Sequence, residues 1–332
     1  MRALSCMEPG RVELIDIAPP QAPPGWVRVA VAHVGICGTD YHIYEGTHPF
    51  LKYPRIIGHE LSGTVIDPAG GGFATGTPVV VNPYLSCGEC PACRGGTPNC
   101  CENIKVLGVH IDGGMTEEIV VPAENLYRAE GLDLEDAAMV EFLAIGAHAV
   151  RRARLAAGER ALVIGAGPIG LGTAIFARVA GADVTVLDAE PDKTAFAAKL
   201  GFRAVQLSDL DGIAFQSARR SGFDAVFDAT GSLRSMNAAP LYARNGGSLT
   251  LVGLTTGDLA WPDPEIHRRE LTINCSRNAL KADFQHVMES IRRGSVPTKT
   301  LATHSTSLDR VAADLPAWSR SRVGVVKAIV SV

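Results

Sequence analysis

The rhythm of apolar and polar positions changes character along this chain. From residue 1 to about 135 the apolar positions come as short β segments broken by turns, such as Val27-Arg28-Val29-Ala30-Val31 and Pro78-Val79-Val80-Val81, with Pro19-Pro20 and Pro23-Pro24 as punctuation. The middle reads differently. Ala161-Leu162-Val163-Ile164 predicts a buried strand, and a helix is predicted from about Ile169 to Ala180. A second strand follows at Val184-Thr185-Val186-Leu187 and a second helix from about Pro191 to Leu200. Further strands are predicted at Ala225-Val226-Phe227, Leu249-Thr250-Leu251-Val252 and Leu271-Thr272-Ile273. Strand and helix alternating at this spacing predict βαβ units and a parallel sheet. Helix returns at about 283–293, and Val325-Val326-Lys327-Ala328-Ile329-Val330 reads as a closing strand. The expected class is α/β: a β-rich domain of residues 1–140 and 281–332, interrupted by a doubly wound domain of residues 141–280.

Composition narrows the function without naming it. The chain has 332 residues, enough for two domains, with 46% hydrophobic and 20% charged residues. A net charge of −4 and no long Lys/Arg run argue against a nucleic-acid partner. No stretch approaches the roughly 18 apolar residues of a membrane span, and the first ten positions lack a secretory apolar run. The expectation is a cytoplasmic protein with a small-molecule substrate. In that compartment the eight cysteines are metal ligands or core residues rather than disulfides.

Gly165-Ala166-Gly167-Pro168-Ile169-Gly170 fits G-x-G-x-x-G directly after a predicted strand and before a predicted helix. Such a turn brings backbone amides and a helix N-terminus to a pyrophosphate. Asp188 ends the second strand about 20 residues on, where a carboxylate takes the ribose hydroxyls. No Arg follows at once, since the next residues are Ala189 and Glu190. A carboxylate there repels a 2′-phosphate, so NAD is expected rather than NADP. Lys193, one helical turn beyond, reaches either the ribose or solvent.

Two constellations suggest metal. Cys87, Cys90, Cys93 and Cys101 give Cys-x2-Cys-x2-Cys-x7-Cys, four soft ligands within fifteen positions, the pattern of a structural zinc. Cys100 is the spare neighbour. The second constellation is dispersed: Cys37 in Gly35-Ile36-Cys37-Gly38-Thr39-Asp40-Tyr41-His42, and His59 and Glu60 after Gly58. Singly, Cys37 suits a buried position and His59 a hydrogen-bonded core position; only a fold that joins them makes a site.

Taken in order, these motifs resemble the zinc-containing medium-chain dehydrogenase/reductase (alcohol dehydrogenase) family over essentially the whole chain. The resemblance implies a GroES-like catalytic domain carrying a zinc lobe at about 84–104, and a Rossmann domain with a parallel sheet. It implies Cys37 and His59 as catalytic zinc ligands. The third ligand is Glu141, in Val140-Glu141-Phe142-Leu143-Ala144, with Glu60 as rival or exchangeable ligand; Phe142 departs from the Pro common after this Glu. It also implies Thr39 and His42 as the proton path, with Glu60 beside them. Thr230, Val252, Gly253, Leu254, Ser276 and Arg277 join the glycine-rich turn, Asp188 and Lys193 as cofactor residues. The segments from His42 through Pro49-Phe50 to Gly58, and from Leu107 to Gly114, are similar to sugar-acid dehydrogenases that oxidise galactonate or gulonate, with sorbitol- and galactitol-type polyol dehydrogenases close behind. Arg277 is a candidate partner for a substrate carboxylate or hydroxyl. The expectation is a zinc- and NAD-dependent sugar-acid dehydrogenase, a homodimer or homotetramer. The alternatives are a polyol or threonine 3-dehydrogenase-like enzyme, and a catalytically silent NAD-binding regulator.

Overall fold

A computed structural model describes residues 1–48, 51–209 and 221–332. By contacts the chain divides into one unit of Met1–Glu141 with Leu280–Val332 and a second of Phe142–Ala279.

The first unit is organised around the strand Trp26–Ile36, in which Val27, Val29 and Val31 are buried at every second position. It pairs antiparallel with Glu60–Asp67, Glu118–Pro122 and the late strand Lys327–Ser331. The seven-stranded sheet continues outward through Pro78–Val81 and Leu126–Arg128 on one side and Ala302–Ser307 on the other. Its core includes Val27, Val29, Leu61, Val65, Val79 and Val121. Register fixes the chemistry here, because Gly35 stands opposite both Glu60 and Ile329, one residue from Ile36 opposite Ala328. Three strands therefore bring Ile36, Glu60 and Lys327 to one end of the sheet.

The second unit is a six-stranded, wholly parallel sheet. Its order is Arg203–Gln206, Asp183–Asp188, Arg160–Ile164, Phe223–Asp228, Ala243–Leu251 and Thr272–Cys275. Counting strands along the chain, that order runs 3-2-1-4-5-6, the doubly wound dinucleotide-binding arrangement. Inner strands are buried on both faces and read as continuous apolar runs, as in Ala161-Leu162-Val163-Ile164. The edge strand Arg203–Gln206 has no buried position, so it carries no such run and the apolar pattern does not announce it. Among the described residues, no helix is long and apolar enough to cross a membrane.

Candidate active site and cofactor site

In the first unit, Cys37 caps the helix Gly38–Tyr44 from an extended conformation. Asp40, in the first turn, is wholly buried; its carboxylate accepts from the Cys37 amide at 2.8 Å and from the Gly58 amide at 3.2 Å. One side chain thus ties the segment of Cys37 to the segment of His59. Asp40 Oδ1 also lies 3.9 Å from His59 Nδ1. The result is a close set: one ligand atom each from Cys37, His59 and Glu60, all within 4.8 Å of one another.

This donor set fits zinc. A thiolate, an imidazole and a carboxylate are the ligand types zinc takes, and His59 Nδ1, buried, has no hydrogen-bond partner among the described residues. Burial pulls the His59 pKa down, but Cys37, Asp40 and Glu141 outweigh it and leave it well raised.

Glu60 is itself paired. Lys327 Nζ donates to both carboxylate oxygens at 2.7 Å and to the Ile36 carbonyl at 3.1 Å, with both side chains essentially inaccessible. Burial alone lowers the lysine pKa, and Glu60 with Cys37 raises it, so Lys327 stays charged. Room for this pair comes from Gly35: a Cβ there would lie 2.0 Å from Glu60 Oε2. Glu141, in the first turn of the helix Val140–Ala153, stands outside the 4.8 Å set. It accepts a hydrogen bond from the Tyr84 hydroxyl, and burial pushes its carboxyl up to about 7, against the influence of His59.

Thr39 Oγ1 lies 3.8 Å from Cys37 Sγ. His42, on the same short helix, is exposed, with Nδ1 3.2 Å from Thr47 Oγ1 and 3.7 Å from Glu45. A hydroxyl beside the sulfur and an imidazole at the solvent surface thus share one element. Pro49 and Phe50 lie outside the described residues.

The sulfurs of Cys87, Cys90, Cys93 and Cys101 also lie within 4.8 Å of one another, whereas Cys100 is exposed and outside the group. The Cys87 and Asn103 amides each donate to Cys101 Sγ at 3.3 Å. The Glu89 and Cys90 amides pull the Cys87 thiol down to about 6. Four sulfurs with amides aimed at them fit a tetrahedral zinc.

In the second unit the glycine-rich turn follows strand Arg160–Ile164, at the switch point between it and Phe223–Asp228. Gly165 has φ +96°, and a Cβ on Gly170 would come 1.7 Å from the Gly165 carbonyl, so helix Pro168–Val179 packs here only on glycine. A Cβ on Gly167 meets nothing within 4 Å, leaving open space over the turn. Pro168 and Ile169 form the first helical turn. Asp188 accepts from the Ala166 amide at 2.6 Å and the Glu190 amide at 2.9 Å, which fixes its carboxylate beside the turn. Lys193 is exposed. Thr230 donates through its amide and hydroxyl to buried Asp228, whose carbonyl also receives the Val252 and Gly253 amides. Ser276 Oγ is buried without a hydrogen-bond partner among the described residues; Leu254 is 85% exposed and Arg277 is exposed. Backbone amides, an open cradle and a fixed carboxylate fit a dinucleotide.

Sequence reasoning passed over three residues of the candidate catalytic centre. Asp40 lies inside a motif read for its neighbours, Tyr84 has no local signal, and Lys327 was read only as part of a closing strand. A lysine in the middle of an apolar strand run was the available sign.

Comparison with known proteins shows the family. Residues 23–131 match the alcohol dehydrogenase GroES-like domain and residues 168–293 the zinc-binding dehydrogenase domain. The chain is 40% identical over 314 residues to L-galactonate-5-dehydrogenase of Escherichia coli (strain K12), covering 92% of this chain and 91% of that protein. It is 29% identical to the NADH complex of a short chain alcohol dehydrogenase (rspB) from E. coli CFT073, with TM-score 0.93, covering 100% of this chain and 99% of that one. A zinc-binding dehydrogenase from Sinorhizobium meliloti 1021 bound to NADP is 27% identical, with TM-score 0.91 and coverage of 100% and 99%.

Proposed function

Because this chain belongs to the zinc-type alcohol dehydrogenase family, we propose that it oxidises a secondary alcohol of a sugar acid, such as L-galactonate or L-gulonate, with NAD as hydride acceptor. The Cys37–His59–Glu60 set, with His59 and Glu60 buried and Thr39 beside the sulfur, carries this reading. Cys37, His59 and Glu141 hold the catalytic zinc, with Glu60 in exchangeable contact. Glu60 already has its charge balanced by Lys327, whereas Glu141 is buried and, among the described residues, has no ammonium or guanidinium group hydrogen-bonded to it, and a metal answers that need. Cys87, Cys90, Cys93 and Cys101 hold a structural zinc. Zinc supplies Lewis-acid stabilisation for a substrate oxygen, and NAD supplies the acceptor for the carbinol hydride.

The chain's own residues handle the proton. Thr39 Oγ1 accepts it from the substrate hydroxyl as its own proton leaves, and His42 delivers it to solvent. Asp188 favours NAD, because a 2′-phosphate beside its anchored carboxylate meets like charge. Thr230, Val252, Gly253, Leu254, Ser276 and Arg277 complete the cofactor side.

The zinc-loaded protein should form NADH from L-galactonate or L-gulonate faster than from sorbitol or galactitol. Faster turnover of the neutral polyols would move the assignment to the polyol branch, and no turnover of either class would overturn it. Replacing Asp188 by Ala and Ala189 by Arg should shift preference toward NADP by roughly ten- to a hundredfold, the scale of one charge-assisted contact. A wild type that already prefers NADP contradicts the role given to Asp188.

A further inference from the structure

Asp228 ends the strand Phe223–Asp228 with no exposed surface, and its carboxylate and carbonyl oxygens all accept hydrogen bonds. Oδ1 takes the Thr230 amide at 2.9 Å and the Thr230 hydroxyl at 2.6 Å. Oδ2 takes the Ser235 hydroxyl at 2.6 Å, from the helix Leu233–Ala238. The carbonyl takes the Val252 and Gly253 amides, both at 2.9 Å. One residue thus ties down the loop after its own strand, the helix beyond it and the loop after strand Ala243–Leu251.

The tied loop is wedged between the glycine-rich turn and the 252–254 loop. Ala229 donates to the Ile164 carbonyl at 2.8 Å, and a Cβ on Gly165 would come 3.0 Å from Thr230 Cγ2. On the other side, a Cβ on Gly253 would lie 2.3 Å from the Gly231 nitrogen. The Thr230 hydroxyl is already spent: its one proton goes to Asp228, and it accepts from the Ser232 amide at 3.0 Å. Thr230 therefore turns its methyl, and not its hydroxyl, toward the glycine-rich turn.

We propose that Asp228 is a positioning residue for the nicotinamide half of the cofactor. This rests on the dinucleotide reading and names the residue that sets that half of the cradle. Asp188, given to the adenosine ribose, ends the strand on one side of Arg160–Ile164, and Asp228 ends the strand on the other. A dinucleotide crossing the turn with its adenosine at Asp188 brings its nicotinamide half over the end of the Asp228 strand. Asp228 is inaccessible to that ligand and acts through the Thr230 loop and Gly253, which it fixes in one arrangement. Its bonds to the hydroxyls are charge-assisted and about twice as strong as neutral ones, so removing the carboxylate frees the loop.

The test measures calorimetric binding of two probes to the full chain: NADH, and ADP, which lacks the nicotinamide riboside. Asp228→Ala should weaken NADH binding by roughly ten- to a hundredfold and leave ADP binding nearly unchanged. Asp228→Asn, which still accepts from Thr230 and can donate to Ser235, should recover most of the loss. Ser235→Ala removes one donor to Asp228 at a position outside the cofactor residues, so a selective loss of NADH affinity there acts through Asp228. That loss should be smaller, and Ser235→Ala carries the test alone if Asp228→Ala does not fold. Equal losses for NADH and ADP would make Asp228 a general strut of the unit and overturn the proposal; unchanged NADH binding overturns it too. A wild type that binds neither probe overturns the dinucleotide reading beneath it.

Discussion

The two candidate metal sites of the first unit are built on opposite principles. The candidate catalytic centre gathers Cys37, His59 and Glu60 from separate segments, and an inaccessible frame of Asp40, Lys327 and the Gly35 register holds them. The cysteine lobe is local: its four sulfurs come from fifteen consecutive positions, and its base is the two-residue ladder of Tyr84–Leu85 with Lys105–Val106. Within that loop only Cys90, Asn99 and Cys101 are buried, so little apolar packing holds it. Under the proposed function the fold organises the first site, and a bound ion would organise the second.

The largest effect that sharpens this contrast is on turnover. Cys37→Ala should lower activity on the order of a thousandfold or more, since the metal contributes several kcal/mol in the transition state. Its stability should hardly change, and metal analysis should show the lobe still loaded. Cys90→Ala should do the reverse, losing the lobe metal and the hydrogen-exchange protection of residues 87–101. A Cys37→Ala protein that melts earlier than Cys90→Ala would break the contrast.

Next in size is the buried ion pair. Lys327→Met leaves the Glu60 carboxylate buried without its cation, which costs about 3–5 kcal/mol. The double variant Lys327→Met/Glu60→Gln should regain most of that in denaturant unfolding. A stable single variant would show that the frame of the catalytic centre does not depend on the pair.

A smaller effect concerns pH. Burial raises the Glu141 carboxyl to about 7 in the folded chain, above its ordinary value of about 4.3. Its contribution to stability is therefore present below the unfolded value and is lost as pH rises through about 7. Metal-free protein should lose stability over that window, and Glu141→Gln should flatten the slope. Loaded protein should lack the slope, because a ligated carboxylate is already ionised.

The same contrast explains what could be read from the sequence. The α/β class was legible because inner strands such as Arg160–Ile164 and Asp183–Asp188 are buried on both faces and punctuated by helices. Arg203–Gln206 was missed because an edge strand needs no apolar run. The cysteine lobe is written in local spacing, while the catalytic centre depends on strand register, which spacing does not contain. Asp40, Tyr84 and Lys327 act across 18, 57 and 267 positions, so their partners could not be found without the fold.

The most direct measurement of the central claim is hydride transfer itself. Zinc-loaded protein is given NAD and L-galactonate deuterated at the carbinol carbon that becomes the ketone, and the reduced cofactor is examined by mass spectrometry. The account predicts deuterium in NADH in step with ketone formation, abolished in Cys37→Ala and retained in folded Cys90→Ala protein. Ketone formation with unlabelled NADH, or full label transfer by Cys37→Ala, would contradict it.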